Sequence, residues 1–270
     1  MRFDSNRAWL DATALVSANR DVVWAIAGVF LLLPGFAVSI LAPAPQAPAG
    51  ATREAIQQQF LAYFAANWQL MLGGLLAVLL GTLALLALFA DRTRPTVAEA
   101  LRLAATALLP VFASTLIAVV GASFAAAIPL ALAMTSGSAV LVSVVYIAGL
   151  LAVWAVLVRV TMAMPAIVLE RIWNPFAALR RAWQLTKGHV ARLLFFYLLL
   201  MVAIFVIVQV GGGVIDLGLR LILGGELGAA IGAFVIALLG AIANTYLIAI
   251  IAAVHRQLIG PPPAPAIPIE

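Results

Sequence analysis

Six apolar runs, at about residues 22–42, 68–90, 110–134, 139–160, 193–211 and 229–254, decide what this chain can fold into. Each is long enough to cross a hydrocarbon core of about 30 Å at about 1.5 Å per helical residue. Composition points the same way: 66% of the 270 residues are apolar and 9% charged, against about 25% charged in an ordinary soluble domain. So little charge cannot cover a water-facing surface of this size, and the excess apolar surface must meet lipid. The sequence therefore predicts an all-α, polytopic integral membrane protein: one six-span domain over residues 1–259, then a proline-rich disordered tail at 260–270.

The basic residues orient it. Thirteen of the fifteen, from Arg2, Arg7 and Arg20 through Arg92, Arg94 and Arg102 and the group Arg159 to Arg192, to Arg256, fall on one side of the six runs; only Arg53 and Arg220 fall on the other. By the positive-inside rule both termini are cytoplasmic. The segment Ala42-Pro43-Ala44 resembles a signal-peptide cleavage region, but its leader is acidic and its run exceeds the roughly 7–15 residues of such peptides. Cysteine is absent, which removes disulfides, thiolate catalysis and cysteine metal ligands together.

Between the runs, the polar segments read as amphipathic cytoplasmic helices. Thr96-Val97-Ala98-Glu99 fits a capping box, Ser5 fits a cap for an N-terminal helix, and Asn174-Pro175 fits a cap followed by a first-turn proline. Setting Ser5, Thr96 and Asn174 in register also aligns Leu10, Leu101 and Leu179. The chain then reads as three repeats of an interfacial helix plus a helical hairpin, unless every entry into such a hairpin simply needs a cap and an apolar edge. Short helices are expected at Thr52–Phe64 and from Thr96 to about Leu109, ahead of the second and third runs, and a tight turn at Thr135-Ser136-Gly137-Ser138.

The segment from Met164 to Arg192 is the longest interruption between apolar runs. Phe176, Leu179 and Trp183 recur on one helical face. Arg171 and Arg181 fall well away from it, and Arg180 and Lys187 lie at its rim, where long stems can run along lipid while the charge meets phosphate. With Arg192, these residues are the candidate headgroup contacts, and membrane lipids with anionic headgroups the expected partners; nucleic acid is not. Positive-inside anchoring without a specific ligand accounts for the same residues.

The run Glu170-Arg171, Asn174-Pro175, Ala178-Leu179-Arg180-Arg181, Trp183-Gln184-Leu185-Thr186-Lys187-Gly188-His189 resembles a segment shared by the membrane domain of glycerophosphoryl diester phosphodiesterases and stand-alone bacterial relatives. The resemblance implies six spans in a bacterial inner membrane. The family's hydrolase is a separate soluble barrel for which this chain has no counterpart, so phosphodiesterase activity is not implied.

Chemistry is sparse. His189 and His255 have no second histidine or carboxylate at helical spacing, so a metal site would need ligands gathered from separate helices. No phosphate-cradling loop or nucleophile elbow occurs. No enzyme activity and no cofactor are expected. Asp216 and Arg220, four apart in the fifth loop, read as a surface pair. Within the spans, Gln209 and Asn244 are the candidate interhelical or cavity-lining polar groups, and no ionisable residue sits mid-span as ion-coupled transport usually requires. Three functions remain: a non-catalytic lipid- or envelope-associated protein, a small facilitator with a cavity among the repeats, or a membrane partner of a separate lipid-modifying enzyme.

Overall fold

A computed structural model describes residues 3–45, 50–90 and 96–260. Arg2, Arg92, Arg94 and the expected tail beyond Gly260 lie outside the described residues. Those residues form helices α1 (Ser5–Ala18), α2 (Arg20–Leu41), α3 (Arg53–Ala90), α4 (Val97–Thr135), α5 (Ala139–Val160), α6 (Ala163–Leu169), α7 (Pro175–Thr186), α8 (Val190–Leu223) and α9 (Gly225–Ile259), with no strand among them. Six of these, α2, α3, α4, α5, α8 and α9, are long and apolar enough to cross a membrane.

Where the sequence divides a short helix from a span, the backbone runs on. The helix expected at 52–64 and the second run form the single α3, because Asn67 stays on the helix, donating from Nδ2 to the Tyr63 carbonyl at 2.9 Å. Likewise α4 passes through both Pro110 and Pro129 without ending, as apolar helices can when neighbouring groups satisfy the freed carbonyls. The fifth loop is also mostly helix: α8 continues to Leu223 and only Gly224, at φ 87°, separates it from α9. Asp216 and Arg220 thus pair along a helix rather than in a loop, Nε to Oδ2 at 2.8 Å.

The caps follow side-chain chemistry. Thr96 and Glu99 close the capping box reciprocally, at 2.8 and 3.3 Å. Asn174 Oδ1 accepts from the Phe176 and Ala177 amides at 2.9 and 3.3 Å. At the N-terminus the cap is Asp4, not Ser5: its Oδ1 accepts from the Asn6 and Arg7 amides at 2.9 and 3.1 Å. A carboxylate is the stronger acceptor of the two and also suits the positive end of a helix dipole. The tight turn forms as expected, with Gly137 at φ 67° and Ser138 capping α5.

The chain divides into two compact units. The first comprises residues 1–15, 106–199 and 249–270. Its core gathers Val111, Val158, Met162, Ile167, Leu193 and Tyr197 with the stretch Ala249–His255, which is buried on every face. The second comprises residues 16–105 and 200–248. Here α3 is buried all round at Leu83–Phe89, and α2 packs along it through a π-helical turn at Gly28–Leu32. A second π-helical turn, Val206–Gly211, lies within α8. Beyond it α8 and α9 close on each other where Gly212 faces Ile236, Gly228 faces the Leu219 and Arg220 backbone, and Gly232 faces the Asp216 side chain.

Candidate functional site

The first unit assembles its polar groups around Glu170. Helix α6 is buried along Ala163, Pro165, Ala166, Ile167 and Val168 and ends at Glu170. The chain then reverses through Arg171, the one non-glycine residue with positive φ among the described residues, at 55°. The Ile172 amide donates back to the Ala166 carbonyl at 3.3 Å, and the Asn174 cap starts α7. That helix buries Ala178, Ala182, Leu185 and Thr186, small enough for close packing on α6 and α5. Phe176 and Trp183 stay exposed on its other side, the amphipathic division expected of an interfacial helix.

This turn aims the Glu170 carboxylate inward with both oxygens engaged. Arg181 Nε donates to Oε2 at 2.7 Å. His255, on the all-round buried stretch of α9, meets Oε1 through Nε2 at 3.0 Å; an ionised carboxylate only accepts, so Nε2 carries the hydrogen. The imidazole side chain is 1% exposed, the carboxylate 21% and the guanidinium side chain 34%, so the triad grades from core to surface. His255 Nδ1 is buried without a hydrogen-bond partner among the described residues.

Beside the triad lies a cavity of about 520 Å³ whose polar lining is Arg181, Gln184, Lys187, His189 and Gln257, with Phe3 on the apolar side. Every charged group in this lining is basic or can become so. Gln257 Oε1 accepts from the Asp4 amide at 3.2 Å, while its Nε2 is buried without an acceptor among the described residues. Arg181, held through Nε, has its terminal nitrogens left to donate. Among the described residues the cavity wall is thus rich in hydrogen-bond donors and carries no acidic side chain.

Of the five candidate headgroup residues, the structure brings Arg181 and Lys187 into this cavity. Arg171, Arg180 and Arg192 are exposed outside its lining. The Arg159 guanidinium lies 5.0 Å over the Trp183 ring, a cation–π contact favourable in a partly dry setting. Sequence reading missed Glu170, His255, Gln184, His189 and Gln257. Glu170 and His255 are 85 positions apart, and helical spacing carries no signal of such a contact. In the second unit, Gln209 and Asn244 line one groove. No group of three or more metal-ligating side chains occurs among the described residues.

No curated protein and no solved structure matches the chain. A family model does match over residues 132–258, which include α5 to α7, Glu170 and His255. The matched part is a membrane domain alone, without a catalytic domain. Over that region this multi-pass membrane protein is similar to the membrane domain of glycerophosphoryl diester phosphodiesterase.

Proposed function

We propose that this is a non-catalytic protein of a bacterial inner membrane, with both termini cytoplasmic, that holds the phosphate-bearing headgroup of an anionic lipid. The observation that carries the reading is the donor-lined cavity of Arg181, Gln184, Lys187, His189 and Gln257, next to an exposed aromatic face that suits the membrane surface. A phosphate offers several acceptor oxygens and negative charge, the complement of such a lining. Glu170 acts as a positioning residue: it fixes Arg181 by one nitrogen and leaves the others for a ligand. With both carboxylate oxygens committed, Glu170 is poorly placed as a general base, which favours binding over catalysis.

Site binding and general anchoring make different demands on Arg180 and Lys187, since both are exposed but only Lys187 lines the cavity. With the full-length protein in nanodiscs containing a minor fraction of anionic phospholipid, native mass spectrometry is expected to show retained lipid on the wild type. Lys187→Gln should weaken retention roughly fivefold, the value of about 1 kcal/mol for one basic charge near an anionic surface. Arg180→Gln should leave it nearly unchanged. Equal losses from the two substitutions would reduce the basic segment to anchoring, and equal retention of zwitterionic lipid would remove the headgroup reading.

A further inference from the structure

The second unit turns two primary amides outward. Gln209 sits in the π-helical turn of α8 and Asn244 on α9, and both are exposed side chains lining a groove of about 610 Å³ with Met201, Phe205, Gly240 and Ala243. Neither amide has a hydrogen-bond partner among the described residues. By sequence, Asn244 is ten residues inside the Val254 end of its apolar run, about 15 Å from that boundary and so near the centre of a core of about 30 Å. At that depth a lipid offers methylene groups, since its ester and phosphate oxygens lie at the boundary, and water is absent.

We infer that this groove is a contact face between two copies of the chain within the membrane, closed by hydrogen bonds among Gln209 and Asn244 of each copy. A primary amide carries both donor and acceptor, so it complements the same amide presented by a second copy, as a face shared across a twofold axis requires. Gly240 and Ala243 keep the groove floor low enough for a neighbouring helix to approach closely, the arrangement that interhelical amide bonds in membranes need. A lipid chain would fill the volume yet leave the donor and acceptor of Asn244 unmet. A second copy satisfies them without any further partner.

The absence of cysteine from the whole sequence makes the test direct. In full-length protein in native membranes, Ala243→Cys should give disulfide-linked dimers on mild oxidation, and Leu150→Cys, a lipid-exposed control on α5 that is 52% exposed, should not. Adding Gln209→Leu and Asn244→Leu to the Ala243→Cys chain should weaken dimerisation roughly 3- to 30-fold for each amide hydrogen bond removed. Leucine at two lipid-facing positions leaves folding intact, so a fall in crosslinking reports the interface itself. Counting photobleaching steps in vesicles should show the same fall in dimers with dilution. Crosslinking of Ala243→Cys no greater than that of Leu150→Cys, a yield indifferent to the leucine substitutions, or a linked species containing a different protein would each overturn the inference.

Discussion

Glu170→Ala is expected to cost about 3 kcal/mol of unfolding free energy, the scale for leaving buried polar and charged groups without their partner. The loss should fall unequally on the two partners. Arg181 is 34% exposed and can recruit water, so its share is small. His255, at 1% exposure, cannot, and would be left with neither ring nitrogen paired among the described residues. In a His255→Leu background, Glu170→Ala should therefore cost much less, a coupling that chemical denaturation in a fixed lipid–detergent mixture would read as a double-mutant cycle. Arg180→Ala, on the exposed side of α7, should stay within about 0.5 kcal/mol. If Glu170→Ala denatured with the wild type, the triad would have no part in holding α6, α7 and α9 together.

The second large effect belongs to the α8–α9 hairpin. A Cβ at residue 228 would stand 2.5 Å from the Leu219 carbonyl oxygen and 2.6 Å from the Arg220 Cα. These are backbone atoms of a helix and cannot rotate aside, so the helices must separate. Gly228→Ala should cost upwards of about 2 kcal/mol, at the high end for overpacking, and Gly228→Val more. The contact at Gly232 differs in kind, because there the obstruction is the Asp216 side chain. Gly232→Ala should displace that carboxylate from Arg220 and cost less than Gly228→Ala. Gly218→Ala serves as the reference: a Cβ there meets nothing within 4 Å, and replacing a helical glycine in open space should stabilise by up to about 1 kcal/mol. Unfolding free energies in that order would fix the crossing; a tolerated valine at 228 would refute it.

Apolar length made the spans legible, because covering a backbone in lipid allows few arrangements. Caps were legible for the same reason that they work. Thr96 with Glu99, and Asn174 with Pro175, satisfy named backbone donors within three residues, and only the choice between Asp4 and Ser5 went to the neighbour. Helix continuity was less visible: Asn67, Pro110 and the glycine-rich stretch after Val210 look like breaks in one dimension, yet each lies within helix. The candidate site was legible in part. The basic residues announced themselves by charge, whereas the selection of Arg181 and Lys187 over Arg171, Arg180 and Arg192 depends on the reversal at Arg171 and the buried alanines of α7. Glu170 and His255 were invisible together because their meeting depends on how α6 and α9 pack.

The π-helical turn at Val206–Gly211 has a consequence for how this gene can vary. The turn holds one residue more than an ordinary α-helical turn, so removing one codon there would restore ordinary winding and leave the later side chains of α8 facing as they do, whereas adding one would swing them by about 100°. After such an insertion Gly212 would no longer face Ile236, nor Asp216 Gly232. An insertion of a single residue in that turn is therefore a far more severe lesion than one beside Gly224, where the helix already stops and the added length can be absorbed.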